Sequence, residues 1–147
     1  MRATCADGAA ASHWFMAPHS SASTWPKVIQ RSRSTPHVPH AWEAQVLFDE
    51  STGTLLCGDL FTRTGNGAAL VHDTDMVSPA LEAEDVFHDT CLTPSTAPTM
   101  RQLAELEPRT LALMHGPSFA GDCAGALRDL ADAYAHRVNL AMSAQAV

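Results

Sequence analysis

From residue 44 onward the apolar and polar positions fall into blocks that read as short strands and amphipathic helices. Residues 44–50 (AQVLFDE) are an apolar run ending in acids, Ser51-Thr52-Gly53 has turn composition, and residues 54–57 (TLLC) are apolar again. This pattern predicts a β-hairpin. Both strands are apolar at nearly every position, so they are expected to be covered on both faces. Residues 60–75 lack periodicity, contain Gly65-Asn66-Gly67 and read as loop. Ser78 and Pro79 suit the N-cap and first position of a helix running to Thr90, with Glu82, Glu84 and Asp85 as its solvated acidic start. A second helix is expected from Pro98 through Met100, Leu103, Ala104 and Leu106, ended by Pro108. Residues 110–114 (TLALM) predict a short buried strand with Met114 in the core, closed by His115-Gly116-Pro117. Asp122 is placed to cap a last helix whose Leu127, Leu130, Ala131, Tyr134 and Val138 share one face. The order strand, strand, helix, helix, strand, helix is an α/β arrangement.

Residues 1–34 carry no such pattern and are left without a fold, expected to be irregular; one stretch, residues 27–33 (KVIQRSR), alternates weakly and reads as an edge strand whose cations discourage further pairing.

Composition narrows the function classes. At 147 residues and 46% hydrophobic, the chain can build one sizeable core. Nine basic against sixteen acidic residues give a net charge of −7, which argues against nucleic acid or an anionic membrane as partner. The four cysteines, Cys5, Cys57, Cys91 and Cys123, are too widely spaced for a zinc knuckle or a dense disulfide framework, and fit a reducing cytoplasm. No apolar run reaches the roughly 18–20 residues of a membrane span, and the first residues lack the basic start and apolar centre of a secretory signal.

Chemistry in layered α/β folds concentrates where strands end. His37 and His40 (TPHVPHAWE) precede the first hairpin strand, Asp59 (LLCGDLF) follows the second, and His115 (LALMHGP) follows the third strand. Imidazole and carboxylate suit zinc, iron or manganese, so His40, Asp59 and His115 are candidate metal ligands if the strands bring them together. Taken singly, each has a plainer reading as a turn, cap or surface residue.

The stretch TPHVPHAWEAQVLFDESTGTLLCGDLF, followed by LALMHGPSF and a terminal helix, resembles the C-terminal half of a metallo-β-lactamase-fold protein. His40-Ala41-Trp42-Glu43 is more similar to the flavodiiron branch of that superfamily than to its lactamases or glyoxalases. The resemblance implies a partial αββα sandwich, with a mixed sheet and about three helices, in residues 35–147. It implies a binuclear zinc or iron centre in which His40 and His115 are ligands and Asp59 bridges, with His37 competing for the role of His40. The upstream HxHxDH or HxExDH string of such proteins is absent. His13 and His19 (SHWFMAPH) are given no ligand role, and residues 1–34 are expected to be unrelated sequence joined by truncation or a shifted frame. The implied function is that of a metallohydrolase-like protein with an incomplete centre, weak or inactive alone. The alternatives are an oxygen-binding or oxygen-reducing di-iron relative, or a non-catalytic fragment or assembly module. Half a sandwich exposes a sheet face, so a homodimer or a chain supplying the missing half is the expected partner.

Overall fold

The hairpin forms where its pattern places it. In this computed structural model, which describes residues 32–36, 45–90 and 92–145, strands β2 (Gln45–Asp49) and β3 (Thr54–Leu56) pair antiparallel, with Leu47 opposite Leu56. Asp49 organises the turn. Its carboxylate accepts from the Ser51 N–H at 2.9 Å, the Ser51 hydroxyl at 2.6 Å and the Thr52 hydroxyl at 2.7 Å. These bonds, the Ser51 hydroxyl first, hold its pKa below the ordinary carboxylate value. Gly53 sits at φ +68°, where a Cβ would stand 2.7 Å from the Arg109 side chain, so both conformation and space favour glycine. The Gly53 carbonyl accepts from the N–H groups of Arg109 and Thr110, which seats the turn on the entrance of β5 (Thr110–Ala112).

An edge strand does precede the hairpin. β1 (Ser32–Pro36) pairs antiparallel with β2, starting later than the 27–33 stretch, most of which lies outside the described residues. β3 and β5 are parallel neighbours, with Leu56 beside Ala112. Two strands of two residues complete the sheet: β4 (Leu70–Val71), within the stretch expected to be loop, and β6 (Ser118–Phe119). The order is β1-β2-β3-β5-β6-β4. Such short strands carry no periodicity of their own; β4 exists because Ser118 and Ala120 donate to the carbonyls of Ala69 and Val71.

Helices α1 (Val77–Phe87), α2 (Thr96–Ala104) and α3 (Cys123–Gln145) supply the rest. The start of α1 differs from expectation. Asp75, rather than Ser78, satisfies the open N–H groups, its carboxylate accepting from Val77 at 2.8 Å and Ser78 at 3.1 Å. The helix ends at Phe87, with His88 left-handed at φ 53°, short of Thr90. Asp122 caps α3 as its pattern requires, accepting from the Gly125 N–H at 2.8 Å.

One core joins all three helices to one face of the sheet. Val46, Phe48, Leu55, Leu111 and Phe119 point into it, against Met100 and Leu103 of α2 and Leu127, Leu130 and Tyr134 of α3. The opposite face is open among the described residues: Leu47 is 37% and Leu56 43% exposed, which corrects the expectation of strands covered on both sides. The cause is geometric, since every described helix packs on the same side and alternate side chains of a strand point away from it. Met114, expected in the core, is 67% exposed because β5 has already ended at Ala112.

Candidate metal centre at the ends of two parallel strands

Parallel pairing in register sends β3 and β5 out of the sheet at the same end. Asp59 stands three residues beyond Leu56, and His115 three beyond Ala112, its pairing partner. The emerging loops remain tied together. The Cys57 N–H donates to the Ala112 carbonyl at 2.9 Å, the Met114 N–H to Gly58 at 3.1 Å, and the Arg63 N–H to His115 at 2.9 Å. Gly58 (φ 57°) and Gly116 (φ 121°) supply left-handed turns beside both residues, and a Cβ at Gly116 would come within 3.1 Å of Arg63. The Asp59 carbonyl accepts from the Thr62 N–H at 3.1 Å and from its hydroxyl at 2.7 Å, which closes the loop into a tight turn.

Two of the three candidate ligands therefore meet. His115 Nε2 lies 3.3 Å from Asp59 Oδ1, the imidazole 60% and the carboxylate 29% exposed. Carboxyl ends of parallel strands are where open α/β sheets build their sites, because the strands fix the backbone while the loops vary the side chains. His40 and its competitor His37 lie outside the described residues, as do His13, His19, Trp42 and Glu43.

The donor set suits a first-row metal. Two ligand atoms about 2.1 Å from one ion and about 105° apart stand about 3.3 Å from each other, so the observed pair is spaced as two ligands or as a simple ion pair. Two donors are fewer than the three protein ligands of a catalytic zinc site. Among the described residues no group of three or more His, Cys, Asp and Glu side chains is gathered to hold an ion.

Sequence reasoning missed the polar cluster behind Asp59. Asp59, Phe61, Ala83, Glu84, Thr90 and Tyr134 line one small cleft. Glu84 is only 9% exposed, not part of a solvated helix start. Its carboxylate accepts from the Thr90 N–H at 3.1 Å and from the Thr90 hydroxyl, which also lies 3.0 Å from the Tyr134 hydroxyl of α3. The signal was present: Ala80, Ala83 and Glu84 are spaced i, i+3, i+4, so Glu84 falls on the buried face of α1.

Tyr134 is the chain's one tyrosine, and burial first, then the nearby Glu84 charge, pushes its pKa up to about 12, against a Thr90 hydrogen bond that lowers it. Its folded value lies above its unfolded one, so its contribution to stability is intact below pH 10 and is lost as pH rises through 12. An alkaline titration followed by tyrosinate absorbance is expected to stay silent through pH 10 while the fold holds. Ionisation at the ordinary tyrosine value with the fold intact would contradict this burial.

No family model and no curated protein sequence matches the chain. Solved structures do. The apo state of the chemotaxis sensor ODP from T. denticola is similar at TM-score 0.54 and 19% identity, over 67% of this chain and 41% of that one. The peroxy diiron species of the same sensor gives 0.55 and 19%, over 68% and 43%. A crystal structure of diflavin flavoprotein A 5 (fragment 1–254) from Nostoc sp. PCC 7120 gives 0.53 and 18%, over 79% and 44%. These are metallo-β-lactamase-fold proteins, and the chain shares their α/β architecture in part, as a mixed sheet with three helices among the described residues. It spans less than half the length of each.

Proposed function

We propose that this chain carries the C-terminal ligand edge of a metallo-β-lactamase-type metal centre, with Asp59 and His115 as ligands and His40 as the third. The observation that carries the reading is the 3.3 Å approach of an imidazole and a carboxylate, far apart in sequence, at the aligned ends of β3 and β5. Zinc or iron suits this oxygen and nitrogen set equally. The di-iron neighbour favours iron, and with it the oxygen-binding or oxygen-reducing alternative to a metallohydrolase-like role. Either ion, when bound, supplies Lewis acidity and lowers the pKa of bound water.

The chain's own residues provide position. The Thr62 hydroxyl and N–H fix the turn that presents Asp59, and the hydrogen bonds from Met114 to Gly58 and from Arg63 to His115 hold the two loops in step. With so few ligands, the isolated chain binds metal weakly and turns over little or no substrate. A second polypeptide supplying further ligands is the partner this reading calls for. Cys57 and Cys123, buried and unbridged, fit the reducing cytoplasm proposed as its compartment. No helix among the described residues is long and apolar enough to cross a membrane.

Equilibrium dialysis of the full chain against Zn(II), and anaerobically against Fe(II), tests the assignment. Asp59→Ala, His115→Ala and His40→Ala are each expected to weaken binding at least about tenfold, while His37→Ala leaves it unchanged. Equal metal content in the native chain and in both Asp59→Ala and His115→Ala overturns it.

A further inference from the structure

We propose that Phe61 is a positioning residue for the candidate metal centre: burial of its ring fixes the turn that holds the Asp59 carboxylate beside His115. This role rests on the metal assignment above. The backbone is left-handed on both sides of Asp59, at Gly58 (φ 57°) and at Phe61 (φ 61°). Glycine enters that region freely, whereas a bulky side chain crowds its Cβ against the neighbouring carbonyl and is rarely found there. Such a conformation persists only where the surroundings over-determine it.

Two sets of contacts do this here. Phe61 is 2% exposed, one of the largest fully buried side chains among the described residues, and it shares a cleft with Ala80 and Ala83 of α1 and Tyr134 of α3. One residue further on, Thr62 gives both its N–H and its hydroxyl to the Asp59 carbonyl, and the Arg63 N–H reaches the His115 carbonyl at 2.9 Å. The turn is therefore anchored in the core at Phe61 and carries the ligand at Asp59, two residues away. With the ring removed, nothing buried holds position 61 in place, and the carboxylate is free to leave its 3.3 Å approach to His115. Conformation and anchorage can be separated. Glycine at 61 adopts the left-handed backbone without strain but buries nothing, so it serves if the turn needs only that conformation and fails if the turn needs the ring.

Equilibrium dialysis of the full chain against Zn(II) tests this, with circular dichroism checking that each variant folds. Phe61→Gly is expected to weaken binding at least about tenfold. Phe61→Leu, which keeps an apolar side chain to bury, is expected to weaken it about threefold, and decides the matter if the glycine variant does not fold. Leu103→Ala, in the same core but on α2, which lines no part of that cleft, is expected to lower stability and leave metal affinity unchanged. Asp59→Ala, run alongside, separates the two ways of failing. Native affinity in Phe61→Leu or in folded Phe61→Gly, while Asp59→Ala loses the metal, overturns the positioning role alone. Unchanged binding in Asp59→Ala overturns the metal assignment and this role with it. A loss in Leu103→Ala as large as that in Phe61→Leu makes the effect one of general stability and also overturns the role.

Discussion

Leu111→Ala is expected to lower the free energy of unfolding by about 3 kcal/mol. Leu111 is fully buried on β5, paired with Leu55 on one side and Phe119 on the other, and faces the core that the helices close. Truncation there removes buried methyl groups and leaves a hole that two flanking strands and a packed helix layer cannot collapse to fill. A domain of this size holds roughly 5–15 kcal/mol in all, so the loss is a large share of it. Urea unfolding should show a lower midpoint with an unchanged slope. Leu56→Ala is the control: its side chain is 43% exposed on the neighbouring strand, and its truncation is expected to cost about 1 kcal/mol or less. Equal losses at the two positions would mean that the inward and outward faces of the sheet have been assigned wrongly.

Glu84→Ala is expected to cost about 2–3 kcal/mol, more than any exposed acid on the same helix. The Glu84 carboxylate receives both the N–H and the hydroxyl of Thr90, and through Thr90 it ties the end of α1 to Tyr134 of α3. Removing it leaves the half-buried Thr90 donors without this acceptor, whereas Glu84→Gln keeps an acceptor and should recover about half the loss. The same variants report through Tyr134. Without the Glu84 charge the tyrosine should ionise at lower pH, while burial still holds it above its ordinary value. Glu82→Ala, at a solvent-exposed position of the same helix, is expected to change stability by less than about 0.5 kcal/mol. An unaltered Tyr134 titration in Glu84→Gln would show that the two groups do not communicate.

The hairpin, α2, β5 and α3 were legible because each carries its own signal. Gly53 marks the turn, Met100 and Leu103 repeat at helical spacing, Leu111 centres an apolar run, and Asp122 precedes a buried stripe. Asp59 and His115 were legible as residues closing apolar runs, and their meeting followed once β3 and β5 paired in parallel. The start of α1 was misread because Ser78 and Asp75 are both competent caps, and only the path of the preceding chain decides which carboxylate or hydroxyl reaches the open N–H groups.

By itself the sequence determined the elements long enough to have a period, the residues whose side chains make them candidate metal ligands, and the net acidity of the chain. Only the tertiary structure decided that one face of β2 and β3 is covered and the other open, that two-residue β4 and β6 join the sheet, and that Glu84 is buried while Met114 is not. The reason is the range of the forces involved. Periodicity records how an element treats its own two sides, whereas burial of Glu84 depends on Tyr134, fifty positions away, and pairing of β4 depends on backbone groups of β6 that leave no trace in the residues of β4.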